Sequence, residues 1–130
     1  MVKVLFVDDE PMILRLFKSV LEMNGFTVCT ANSAAEAIAL LSTEKFQMVV
    51  TDLRMETSAA GFDVVTAARQ LTPRPVLVIL TAYPVPPAEW KSAGADALYV
   101  KGQNVLELPQ ELKQLLEAHE SGDPLGRCAG

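Results

Sequence analysis

Four short apolar stretches, Val2–Val7, Met48–Thr51, Val76–Leu80 and Ala97–Val100, run through this chain without alternating with polar residues. A strand with one face in water alternates apolar and polar side chains. Strands rich in Val, Ile and Leu that do not alternate are covered on both faces, as in a parallel sheet between layers of helices. Thr27–Thr30 is a weaker fifth candidate. Helical patterns separate these stretches. Ile13, Leu16, Phe17, Val20 and Leu21 form one stripe, stopped by Asn24-Gly25. Ser33-Ala-Ala-Glu36 reads as a capping box ahead of a helix that buries Ala37, Ile38, Leu40 and Leu41. A third helix is expected from about Phe62 to Leu71, ahead of Pro73. A short fourth opens at Pro86-Pro87 and stops at Gly94, and a fifth begins near Leu108-Pro109 and carries Leu112, Leu115 and Leu116. Strand and helix thus alternate five times, which predicts an α/β fold with a parallel sheet.

At 130 residues, half of them hydrophobic, the chain suits one packed domain. The expected division is a domain over residues 1–120 and a flexible tail over 121–130, which is polar and broken by Pro124. The net charge of −5 disfavours direct binding to nucleic acid. No apolar run is long enough for a signal peptide or a membrane span. Cys29 and Cys128, without metal-type spacing, suit a reducing cytosol better than a disulfide framework, so a soluble cytoplasmic protein is expected.

Ligands in such sheets sit beyond the carboxyl ends of the strands. The first strand ends in Asp8-Asp9-Glu10, the third in Thr51-Asp52, the fourth in Thr81-Ala82 and the fifth in Lys101. Three carboxylates brought to one edge repel, and a divalent cation removes the conflict. Oxygen ligands without His or Cys point to magnesium or manganese, not zinc. With a metal and a phosphate in place, Lys101 can neutralise a phosphoryl oxygen and the Thr81 hydroxyl can donate to another. Carboxylate, metal, hydroxyl and lysine together describe an aspartyl-phosphate site.

Each residue alone has a plainer reading. Asp8 or Asp9 could cap the helix that follows at Glu10-Pro11, and Thr81 and Lys101 could be ordinary strand-end residues. Their convergence with Asp52 favours chemistry. His119 reads as a solvated or capping residue, and Cys29 as a small core side chain. Met12, Met23, Met48 and Met55 read as packing, and Trp90 as packing or part of a binding surface.

At this point the chain resembles the response-regulator receiver family of two-component signalling, over about Val2 to Glu117. The likeness rests on Val7-Asp8-Asp9-Glu10, Thr51-Asp52-Leu53-Arg54-Met55, Leu80-Thr81-Ala82, Gly94-Ala95-Asp96 and Lys101. It implies a flavodoxin-like (βα)5 doubly wound parallel sheet with strand order 2-1-3-4-5. Asp52 would accept a phosphoryl group from a sensor histidine kinase or phosphotransfer protein. Asp9 would bind Mg2+ (or Mn2+) directly and Asp8 through water, with Asp52 and the main-chain carbonyl of Arg54 completing the set. Thr81 and Lys101 would grip the phosphoryl oxygens. The implied protein is a signalling phosphoacceptor, not an enzyme acting on a separate substrate, although it assists its own phosphorylation and dephosphorylation. Its output would pass to a downstream protein target from a stand-alone receiver, and the resemblance admits a homodimer.

Several positions depart from the family pattern. Leu98 stands where an aromatic is usual, with Tyr99 one place later, and Gly102 replaces the proline after the lysine. The segment Glu56–Ala60 replaces a Met-Pro loop and is about one residue longer, and the Gly102–Glu107 connection is also longer. These changes predict a switch that draws Thr81 inward without an aromatic rotamer change. Arg54 and Tyr83, two beyond the acceptor and two beyond the threonine, are bulky and predict slow loss of the phosphoryl group. Three rivals remain on sequence grounds. A phosphohydrolase would want aspartates at alternate positions and a cap domain. A nucleotide or flavin domain would want a phosphate loop after the first strand. The third is a receiver that works unphosphorylated.

Overall fold

The computed structural model describes residues 2–102 and 105–121. Five strands, β1 (Lys3–Val7), β2 (Thr27–Ala31), β3 (Met48–Thr51), β4 (Val76–Thr81) and β5 (Ala97–Val100), alternate with five helices. These are α1 (Pro11–Met23), α2 (Ala34–Thr43), α3 (Ala60–Ala68), α4 (Pro87–Ala93) and α5 (Leu108–Ser121). The sheet is wholly parallel in the order β2-β1-β3-β4-β5, as the flavodoxin-like expectation requires.

Each central strand is buried on both faces, which explains why its sequence does not alternate. Val4, Phe6, Met48, Val50, Val76, Val78 and Leu80 point to one side, where Phe17 and Leu21 of α1 and Leu108, Leu112 and Leu116 of α5 cover them. Leu5, Val7, Val49, Leu77 and Ile79 point to the other side, against Ala34, Ala37 and Leu41 of α2 and Val64, Val65 and Ala68 of α3. The small α4 buries no residue fully. Its Trp90 packs, half-buried, on this second core.

Helix ends follow their local signals. The Ser33 hydroxyl accepts from Glu36 N–H at 3.1 Å, while the Glu36 carboxylate reaches back to Asn32 N–H at 2.7 Å. At the end of α1, Gly25 takes φ +92°, and the N–H groups of Gly25 and Phe26 return to the carbonyls of Glu22 and Leu21. Three readings from periodicity need correction. Ile38 and Leu16, assigned to buried stripes, are 38% and 46% exposed. Helix α3 spans Ala60–Ala68 rather than Phe62–Leu71, because Arg69 closes it ahead of the turn at Gln70-Leu71. Cys29 is half-buried against the second core rather than enclosed in it. Of the tail expected over 121–130, Ser121 ends α5; the rest, including Cys128, lies outside the described residues.

One glycine fixes the position of the β3–α3 loop. A Cβ on Gly61 would lie 2.1 Å from the Asp52 carbonyl oxygen, and Gly61 N–H donates to Leu53 O at 2.9 Å. The first turn of α3 therefore rests directly on the backbone of Asp52 and Leu53, the residues that follow β3. Gly61→Ala is expected to cost about 3 kcal/mol in chemical denaturation, since backbone must move to relieve the overlap. A loss below about 1 kcal/mol would show that the loop shifts freely.

Candidate functional site

Because β1 pairs with β3 in register Val7↔Thr51, the residues following each strand, Asp8 and Asp52, emerge side by side. Their backbones continue the sheet: Asp8 N–H donates to Ala31 O and Asp52 N–H to Val7 O. Strand β4 ends one strand over in Thr81, and β5 leads into Lys101, whose N–H donates to Thr81 O at 2.9 Å. All the residues singled out for the site thus come from the carboxyl ends of four adjacent strands. Asn32-Ser33, after the edge strand β2, serve only the helix cap.

Burial in this group is unequal. Asp8 is 1% exposed, Asp52 7% and Thr81 fully buried, whereas Asp9 is exposed. Among the described residues, Asp8, Asp9 and Asp52 form an acidic cluster whose ligand atoms lie within 4.8 Å of one another. The Lys101 ammonium enters this cluster. It donates to Asp52 Oδ2 at 2.7 Å and stands 2.5 Å from Asp8 Oδ2, with Glu10 at 3.8 Å on the solvent side. Asp52 Oδ1 accepts from Leu53 N–H at 2.7 Å. Asp8 Oδ1 accepts from Glu10 N–H at 2.9 Å, so Asp8 does help to organise the entry to α1. Its Oδ2, however, is buried and touches Lys101 without hydrogen-bond geometry.

Two opposing effects set the charges. Burial raises the Asp8 carboxyl above the usual carboxylate range; Lys101 and the Glu10 N–H offset this only in part, and the Asp52 charge adds to the rise. Burial alone would lower the Lys101 ammonium, but its contacts with Asp52 and Asp8 outweigh burial and hold it above the ordinary lysine value. Lys101 is therefore a cation at neutral pH, placed between two carboxylates. The donor set fits a hard divalent ion, with oxygen ligands of which one, Asp8 Oδ2, is buried and poorly satisfied.

At the mouth of the site the Arg54 guanidinium lies 4.4 Å from the centre of the exposed Tyr83 ring. This contact links the β3–α3 loop to the β4–α4 loop. The Thr81 hydroxyl accepts from Tyr83 N–H at 3.1 Å, which ties it to the same loop. Leu98 and Tyr99 face opposite sides of β5: Leu98 packs with the α2–α3–α4 layer, Tyr99 with the α1–α5 layer. His119 is exposed, in keeping with the solvated reading, and its Nε2 sits 3.2 Å from Arg74 O. Sequence reasoning missed Glu56, whose carboxylate accepts from Ala34 N–H at the start of α2. Only the unexpected acid in the loop after the third strand signalled it.

Comparison with known proteins agrees with this geometry. A family model described as the response regulator receiver domain matches residues 4–118. The alginate biosynthesis transcriptional regulatory protein AlgB of Pseudomonas putida is 43% identical over 81 residues, which are 62% of this chain and 18% of that protein. This chain therefore matches less than a fifth of that relative's length. A CheY-like receiver domain protein from Methanospirillum hungatei superposes with a TM-score of 0.84 at 29% identity, covering 92% of this chain and 97% of that one. The response regulator TrrA of Thermotoga maritima, solved in complex with Mg(2+)-BeF, gives a TM-score of 0.78 at 31% identity, covering 88% and 99%. Among the described residues, no helix is long and apolar enough to cross a membrane.

The raised Asp8 carboxyl has a consequence for stability. Between its ordinary value and its higher folded value, the folded chain holds more of this proton than the unfolded chain does. Its contribution to stability therefore falls as pH rises across that window, and at neutral pH the buried carboxylate is unfavourable. Asp8→Asn is expected to raise the melting temperature in chelator by a few degrees at pH 7, and the gain should shrink as pH is lowered. An unchanged or lower melting temperature would mean that pairing with Lys101 outweighs burial.

Proposed function

The chain belongs to the response regulator receiver domain family, and from that premise we propose that Asp52 is the phosphoacceptor of a Mg2+-dependent switch. The observation that carries this reading is the buried Asp8–Lys101–Asp52 contact at the strand ends. It holds an acceptor carboxylate, a partner carboxylate and a cation within contact distance. Asp8, Asp9, Asp52 and the Arg54 main-chain carbonyl would hold the ion, and the similar Thermotoga protein was solved in complex with Mg(2+)-BeF. When bound, the metal would neutralise charge on the transferring phosphoryl group.

The chain's own residues do the rest. An Asp52 carboxylate oxygen attacks the phosphorus of a partner's phosphohistidine. The bond from phosphorus to the donor nitrogen breaks, leaving an acyl phosphate on Asp52 and a free imidazole on the partner. Lys101, released from Asp8, neutralises one phosphoryl oxygen, and the Thr81 hydroxyl turns from the Tyr83 N–H to donate to another. That movement would pull on the Tyr83 loop and its contact with Arg54. The changed surface would then engage a downstream protein. Since Tyr99 packs on the α1–α5 side, away from Leu98, the signal would leave without an aromatic side chain swinging towards Thr81.

A phosphohydrolase reading is less well supported, because Asp8 and Asp9 are adjacent and one of them is buried against Lys101. Incubation with Mg2+ and a small-molecule phosphodonor should add one acid-stable, base-labile phosphoryl group by intact mass. Asp52→Ala should gain none. A wild-type protein that stays unmodified, or an Asp52→Ala variant that is modified equally, would overturn the proposal. In the same assay the phosphoryl group should decay faster in Arg54→Ala, which uncovers the mouth of the site; an unchanged decay would remove Arg54 from any shielding role.

A further inference from the structure

On the proposed reading, the loop from Asp52 to Gly61 presents the Arg54 carbonyl to the site, so what fixes its middle matters. Its return leg is secured by Gly61 against Asp52 and Leu53. Inside it, Met55 N–H donates to Thr57 O at 3.0 Å and Ala59 N–H approaches the Thr57 hydroxyl at 3.4 Å. Met55 packs half-buried against the second core and the Arg54 guanidinium lies on the Tyr83 ring; a further restraint comes from α2. From the tip of the loop, the Glu56 side chain reaches the first turn of α2, 22 residues away. Ala34 N–H lies 3.1 and 2.9 Å from its two oxygens, and Ala35 N–H lies 3.5 Å from the nearer one. Those amides are donors that α2 cannot satisfy itself, and Ser33 serves only Glu36 N–H. The positive end of the helix adds to the attraction for a carboxylate. Hydrogen bonds from its own backbone N–H and from Ala34 and Ala35 keep the Glu56 carboxyl below the usual range, so it is charged at neutral pH.

We infer that Glu56 is a positioning residue for metal binding: by clamping the loop tip to the start of α2, it sets the Arg54 carbonyl two residues away in the place where the ion needs it. This inference rests on the reading of the acidic cluster as a magnesium site. Magnesium tolerates little departure from octahedral geometry, so a ligand on a loose loop would be a poor one. Glu56 lies outside the acidic cluster and acts through the loop alone. A proline at this position, as in the usual family loop, would offer no such side chain.

The test compares wild type, Glu56→Ala, Glu56→Gln and Ser33→Ala by calorimetric Mg2+ titration and by amide hydrogen exchange over residues 53–60. Glu56→Ala is expected to weaken Mg2+ binding about tenfold and to speed exchange in that loop. Glu56→Gln should recover part of both effects, because its amide oxygen can still accept from Ala34. Ser33→Ala removes a different cap from the same helix and should leave both readouts near wild type. If Glu56→Ala binds Mg2+ as wild type does, or if Ser33→Ala weakens binding equally, Glu56 is merely a helix cap and the inference is overturned. Failure of the wild-type protein to bind Mg2+ would overturn the metal site itself, and this inference with it.

Discussion

Two carboxylates at the ends of adjacent parallel strands, both nearly inaccessible to water, cannot be stable together without a cation between them. Asp8 and Asp52 are in that position, and Lys101 supplies the cation. Two unit charges about 4 Å apart interact with about 4 kcal/mol at an effective dielectric of 20, so placing this ammonium matters on the scale of a domain's whole stability. The remaining architecture serves that placement. Parallel pairing of β1 with β3 aligns the acids, β4 separates β5 from them by one strand, and the Lys101 backbone is tied to Thr81. Any ion or group entering between Asp8 and Asp52 would have to displace or recruit Lys101.

Much of this was legible in the residue order, for identifiable reasons. Strands such as Val76–Thr81 are covered on both faces and therefore carry an unbroken apolar code. Polar residues at the carboxyl edge of a parallel sheet close such strands or follow directly after them, so the gathering of Asp8, Asp52, Thr81 and Lys101 at one edge was legible from punctuation. Legibility failed where a side chain's surroundings depend on the width of a packed face. Ile38 and Leu16 have helical spacing suited to a core, but they stand exposed at the borders of their stripes. Long-range polar contacts left no trace. Nothing in Glu56 forecasts Ala34 N–H as its partner, and nothing in Lys101 forecasts that its ammonium would divide itself between Asp8 and Asp52.

The departures from the family pattern fall on the periphery of the site rather than on its charges. Tyr99, one place later than the usual aromatic, is turned by strand alternation to the α1–α5 face, where it packs half-buried against that core. Gly102 adopts φ +84°, a conformation proline cannot take, so the chain leaves the lysine on a different path. The β3–α3 loop carries contacts of Arg54 with Tyr83, of Met55 with the second core and of Glu56 with α2. On the proposed reading, the acceptor chemistry would rest on strand ends and the route out of the site on loops.

The central claim is that the Lys101 ammonium and a divalent ion would draw on the same two carboxylates, Asp8 and Asp52. Calorimetric titration of Lys101→Met with Mg2+, beside wild type at the same pH and ionic strength, addresses it directly. If the ammonium and the metal compete for the same carboxylates, the variant binds Mg2+ several-fold more tightly. Equal or weaker binding would contradict the account, showing that Lys101 does not stand in the metal's place.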